Sequence, residues 1–196
     1  MSWIKIIPLE ASTGRLKKLY DQIKGQGDVV DDVMLAHSLR PHTLEGHMAL
    51  YRNVLHHAGN AIPKWALEMI GAYVSILNKC CYCRDHHSAG LHGLIGDDMA
   101  GPIIAALKSG EIDSVPIEAR YKAALTYAAK LTGTPGEMVE TDVKALREAG
   151  FDDGEIVEIN QVTAYFNYGN RTSLGLGAST EYDILGLSHE TEEADI

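Results

Sequence analysis

Apolar residues in this chain return at every third or fourth position, in runs cut by glycine and proline, and that period is the helical one. In "STGRLKKLYDQIK" they are Leu16, Leu19, Tyr20 and Ile23, behind a cap at Ser12 or Thr13. After the loop "GQGDVVDD" the spacing predicts a short helix from about Asp32 to Leu39. Pro41 opens a helix carrying Leu44, Met48, Tyr51 and Leu55 that stops near Gly59, and Pro63 opens another through Leu67, Ile70, Val74 and Leu77. A further helix starts near the cysteines and ends near Gly93. The next lies in "DDMAGPIIAALKSG", softened by Gly101-Pro102 and closed by Gly110. Pro116 begins a long helix through Ala123, Tyr127 and Ala128 that ends at "TGTPG". Met138, Val139, Val143 and Leu146 form one stripe before Gly150, and Asp152 or Asp153 caps the last helix. Alternating β-branched runs longer than four residues are scarce. The chain reads as all-α.

With 196 residues, 45% of them apolar, the chain can bury a core without disulfide staples, as one domain or as two small packed halves. A formal net charge of -10 argues against a nucleic-acid or anionic-membrane surface, which needs clustered Lys and Arg. "MSWIKIIPLE" lacks the apolar run of a signal peptide, and no segment approaches the roughly 18 apolar residues of a membrane span. The expectation is a cytoplasmic protein with no membrane or nucleic-acid partner. The end, "SHETEEADI", is acidic and reads as disordered by composition.

Every cysteine falls in "LNKCCYCRDHHSAG". Three thiols within four residues cannot build an extracellular disulfide framework; in a reducing compartment they are catalytic or metal-binding. If the helix includes them, Cys80, Cys83 and His87 share one stripe at spacings of three, four and seven. Cys-x-x-Cys at a helix N-terminus favours the thiolate, and a neighbouring imidazole can take the proton. A thiolate that attacks a peroxide becomes a sulfenic acid, which a second thiol condenses to a disulfide, the minimal equipment of a thiol peroxidase or a disulfide reductase. The same spacing serves zinc, with Cys80, Cys83, His87 and His92 as the ligand set. Cys81 faces away from the stripe and reads as a small buried hydrophobe, His86 as a surface or capping residue. His37, His42, His47, His56 and His57 lie on helical faces with no ligand constellation, and core or surface roles suit them. Glu68, among Leu67, Met69 and Ile70, is either a solvated position or a partly buried carboxylate of raised pKa that relays the thiol proton.

There is also an internal echo. Glu68 precedes Cys80, Cys83 and Arg84 at the spacings by which Glu155 precedes Asn167, Asn170 and Arg171. "VLHHAGN" at 54–60 stands against "ALREAGF" at 145–151 in the same relative place, to within four residues. Such an echo describes a duplicated helical unit whose second copy lacks the thiols.

The run Glu68, eleven residues, Cys80-x-x-Cys83, three residues, His87 resembles the motif of the alkylhydroperoxidase AhpD-like proteins, in the carboxymuconolactone decarboxylase superfamily. Asn78, Tyr82 and the small residues of "EMIGAYVSILNKCCYCRDHHSAG" agree with it, and the second half resembles the uncharacterised peroxidase-related branch. The likeness runs from about His37 to Leu185. It implies one AhpD-like domain over 1–196, with a helical unit at 37–110 bearing the CxxC motif, a degenerate unit at 116–185 and an acidic tail at 186–196. It implies assembly as a trimer or hexamer and thiol peroxidase chemistry without a cofactor. Cys83 is then the peroxidatic thiol, Cys80 the resolving one, and His87 with Glu68 the proton relay. Tyr82 stands where well-known members carry histidine, and a phenol is no base near neutral pH. The substrate would be an alkyl or hydrogen peroxide and the reductant a lipoylated or thioredoxin-like dithiol protein. Tyr165, Phe166 or Tyr168 would help to line an apolar cleft beside Cys83. Besides the zinc reading, a lactone or carbon-acid enzyme using Glu68 or His87 as base stays open.

Overall fold

Glycine, proline and the long apolar stripes set the helix ends and the buried faces. The computed structural model describes residues 2–181 and 183–186. Among them there are α-helices and short 3-10 or π turns, and no strand. The helices are α1 (Gly14–Ile23), α2 (Asp32–Leu35), α3 (Pro41–Tyr51), α4 (Lys64–Leu77), α5 (Cys81–Ile95), α6 (Asp97–Ser109), α7 (Ala119–Gly133), α8 (Glu140–Glu148) and α9 (Asp153–Leu176). A π turn, Arg52–His56, continues α3. The acidic tail beyond Gly186 lies outside the described residues.

A helix that is apolar on all sides belongs inside. In α4 every residue from Ala66 to Ser75 is buried, and α5, α6, α7 and α9 pack around it. The main core gathers Leu67, Ile70, Val74, Leu91, Ile103, Leu125, Ile159 and Phe166. A second cluster joins α1 to α3 through Leu16, Tyr20, Ile23, Leu44 and Met48. The register that sets Glu68 against Glu155 places a break between two helices opposite a single unbroken one, because α9 runs from Asp153 to Leu176 without interruption.

Several ends differ from the sequence expectation. The helix at Asp32 lasts one turn and dissolves into turns over 36–39. Gly101-Pro102 does not interrupt α6, which keeps its course through Pro102. Pro116 precedes α7 by three residues, with Glu118 as its N-cap. Val139 is exposed at the head of α8 rather than part of the buried stripe. Asp152 is the cap of α9, accepting from the Glu155 N–H while Glu155 accepts from the Asp152 N–H.

The junction of α4 and α5 positions the chemistry. The Cys80 N–H reaches back to the Ser75 carbonyl at 2.9 Å and the Lys79 N–H to Ile76 at 3.0 Å. That is a Schellman turn, with Lys79 left-handed at φ 58° where glycine is usual. The turn reverses the chain and delivers the N-terminus of α5, with Cys80 as its cap, against α4 and α9.

Candidate active site

Cys80 and Cys83 occupy the cap and third positions of α5, where unpaired backbone N–H groups gather. Both are buried, with Tyr82, against Val33 and Ala178. Cys81 is exposed, so its reading as a buried hydrophobe is corrected: at the first helical position its side chain points outward.

The two thiols are not equivalent. A hydrogen bond from the Cys80 thiol holds the Cys83 pKa below its ordinary value, while burial opposes it; the Ser173 and Asn170 side chains act with the first effect. Cys83 Sγ lies 3.4 Å from Ser173 Oγ. Cys80 moves the other way, raised by the same thiol-to-thiol bond and by burial. Asn170 is itself fixed: it donates to Ser75 Oγ at 3.0 Å and accepts from Asn78 at 2.9 Å. A polar stripe on α9 therefore presents donors to the sulfur.

Glu68 is buried at 4% exposure, which decides against the solvated reading. Its Oε2 meets His87 Nδ1 at 2.6 Å, and Phe166 stands edge-on to the His87 ring at 4.4 Å. Gly90, one turn beyond His87, lets α5 lie this close: a Cβ there would stand 3.2 Å from Glu68 Oε2.

Glu68, Cys83 and His87 share the wall of one cavity of about 260 Å³ with Tyr82, His86 and His47. Tyr165 and Phe166 line it as expected, whereas half-exposed Tyr168 stacks behind, on His47 at 5.7 Å. Cys80 is 1% exposed and sits behind Cys83, away from that wall.

His86 is corrected too. Its Nε2 lies 3.1 Å from Asp183 Oδ2, and its side chain is 12% exposed. Asp183, on the segment after α9, also accepts from the Tyr82 hydroxyl at 2.6 Å and from the Asp32 N–H at 3.0 Å. Tyr82 commits its proton to that carboxylate, and burial followed by Asp183 drives its pKa well above 10. It holds neighbours in place and is no base. His47 is buried within the cavity wall, and burial lowers its pKa to about 4.

His92 is unsuited to share an ion with the thiols. It stands nine residues beyond Cys83, about 13 Å along the helix axis, and pairs with Asp97 at 2.7 Å. Among the described residues no three His, Cys, Asp or Glu side chains are grouped to hold a metal ion. Nor is any helix among them long and apolar enough to cross a membrane.

The fold is a helical bundle in which a Cys-x-x-Cys helix start and a buried Glu–His pair share one cavity. Among solved structures, the AhpD core of an uncharacterised peroxidase-related protein from Ralstonia eutropha JMP134 matches with TM-score 0.79 at 26% identity, over 94% of this chain and 96% of that one. An uncharacterised peroxidase-related protein from Silicibacter sp. TM1040 matches with TM-score 0.74 at 28% identity, over 90% and 87%. A variant of the debrominase Bmp8 in complex with 2,3,4-tribromopyrrole shares the fold, with TM-score 0.73 at 15% identity over 93% and 95%. No family model and no curated protein matches the chain. The chain is an AhpD-like protein of the peroxidase-related branch.

Proposed function

We propose that the protein is a thiol peroxidase that reduces alkyl or hydrogen peroxides through a Cys80–Cys83 disulfide. The observation that carries the reading is the asymmetry of the pair: Cys83 faces the cavity with its pKa lowered, and Cys80 lies buried behind it with its pKa raised. Glu68 and His87 take the Cys83 proton. The thiolate attacks the distal peroxide oxygen, the O–O bond breaks, and an alcohol or water leaves. Cys80 then attacks the sulfenic acid, releasing water and closing the disulfide. An outside dithiol, lipoylated or thioredoxin-like, restores both thiols. The same resemblance carries the proposals of trimeric or hexameric assembly, checked by native mass, and of a cytoplasmic setting.

The test is a thiol count by mass spectrometry on reduced, chelator-treated protein, before and after one equivalent of tert-butyl hydroperoxide. Loss of two thiols with the bridge mapped to Cys80–Cys83 supports the reading. Survival of all three thiols overturns it.

A second reading has the same thiolate act on a halogenated ring. The cavity favours it, being walled by Tyr51, Tyr165, Phe166 and three histidines and several times larger than a peroxide needs. The debrominase shares the fold. Bromide release from a bromopyrrole, lost in Cys83→Ser, would be its signature.

A further inference from the structure

Two adjacent histidines, His86 and His87, follow Cys83 on α5 by three and four residues. Side chains at those spacings are neighbours on a helix, with Cβ atoms about 5–6 Å apart. Both rings line the Cys83 cavity. Each is bonded to a different buried carboxylate: His87 to Glu68 at 2.6 Å, His86 to Asp183 at 3.1 Å. The Asp183 side chain is 2% exposed and the Glu68 side chain 5%. Cys83 thus shares its cavity wall with two carboxylate–imidazole pairs, and accepting the thiol proton occupies only one of them.

The reaction has a second proton to place. Breaking the O–O bond of an alkyl hydroperoxide expels an alkoxide, a strong base that leaves well only if protonated as the bond breaks. We infer that His86 is the general acid for that step, held by Asp183, whose carboxylate Tyr82 and the Asp32 N–H fix from two further sides. The assignment rests on the peroxide reading given above. In the imidazolium form Nε2 donates to Asp183, leaving Nδ1 to donate to the departing oxygen. The proton balance closes: His87 with Glu68 gains the Cys83 proton, His86 loses one to the alkoxide, and solvent exchange returns both. Asp183 is a positioning residue in this scheme. So is Tyr82, 4.7 Å from the His86 ring.

A general acid matters for a poor leaving group and hardly at all for a good one, and the test uses that difference. Oxidation of reduced protein is timed with tert-butyl hydroperoxide, which expels tert-butoxide, and with peracetic acid, which expels acetate. His86→Gln keeps a neutral hydrogen bond for Asp183 and removes the transferable proton. It is expected to slow tert-butyl hydroperoxide by about a hundredfold while leaving peracetic acid within about twofold, and Asp183→Asn to change both in the same directions by less. Equal losses with both oxidants, or no loss with either, overturn the assignment. If His86→Gln does not fold, the unaltered protein decides through a series of peroxides with graded leaving groups. A shallow dependence supports internal protonation, and a steep one overturns it. Should the unaltered protein lose no thiols to either oxidant, the peroxide reading itself falls and takes this assignment with it.

Discussion

His87 Nδ1 stands 2.6 Å from Glu68 Oε2, joining the first turns of α5 to the buried helix α4. A carboxylate at 4% exposure with so short a contact fixes the orientation of the ring. Glu68→Gln keeps the shape and removes the charge. Peroxide-driven thiol loss is expected to slow by about a hundredfold with the fold retained, as followed by stopped-flow thiol titration. An unchanged rate removes Glu68 from the chemistry.

Gly71 lies one turn after Glu68 on α4, and a Cβ there would overlap the Phe166 ring. Phe166 is 1% exposed and stacks edge-on to His87, so it has little room to yield without moving the imidazole. Gly71→Ala is expected to destabilise the protein by about 1–3 kcal/mol, read from the urea midpoint. Peroxidase rate should fall with it, since the overlap is relieved at the expense of the His87 position.

The lowered pKa of Cys83 and the raised pKa of Cys80 predict an order of alkylation. Only the thiolate reacts. As pH rises from acid, Cys83 is expected to react with iodoacetamide before Cys80 and at a lower pH than a free thiol, with Cys81 following its exposure. Peptide mapping at a series of pH values checks this, and Cys80 reacting first would reverse the assigned roles.

Much of the architecture was legible because helical periodicity and Pro/Gly punctuation are local signals. The apolar run around Glu68, from Ala66 to Val74, marks a helix without a wet face and with it a buried carboxylate. Thr163, Asn167, Asn170 and Ser173, polar at spacings of three and four on one side of α9, held a comparable hint of the donors beside Cys83. Cys81 does face away from the Cys80–Cys83 stripe, but that side of the first turn of α5 is open to solvent, which its spacing alone does not reveal. His86 had no readable signal. Its partner, Asp183, is 97 residues away in a segment without periodicity, brought there by the end of α9.

Buried His47 makes stability depend on acid. Its pKa falls from 6.5 to about 4 because burial penalises the imidazolium, and His37, whose ring stands 5.1 Å away, is lowered by burial as well. A histidine with a folded pKa below its unfolded one stabilises the fold above 6.5, and that contribution is lost as pH falls toward 4. From His47 alone, about 2 kcal/mol should go between about pH 7 and pH 5. Urea midpoints at the two pH values measure the loss, and His47→Phe is expected to shrink it.

Cys80 and Cys83 part company most clearly when each is removed alone. In Cys83→Ser the cavity keeps its shape but presents a hydroxyl, far too weak an acid to ionise beside His87, so no oxidation by tert-butyl hydroperoxide is expected at the pair. In Cys80→Ser the attacking thiol remains, and its sulfenic acid has no partner behind it. A single oxygen should then accumulate on Cys83, trapped by dimedone and seen as a mass adduct. Cys80→Ala removes the hydrogen bond that does most to lower the Cys83 pKa, which a serine hydroxyl can still donate, so in that variant the first step should slow and its pH profile move upward. Exposed Cys81 gives the control: Cys81→Ser should leave both the disulfide and its rate unchanged. A stable adduct on Cys80 in the Cys83→Ser protein would instead make the buried thiol the one that meets peroxide.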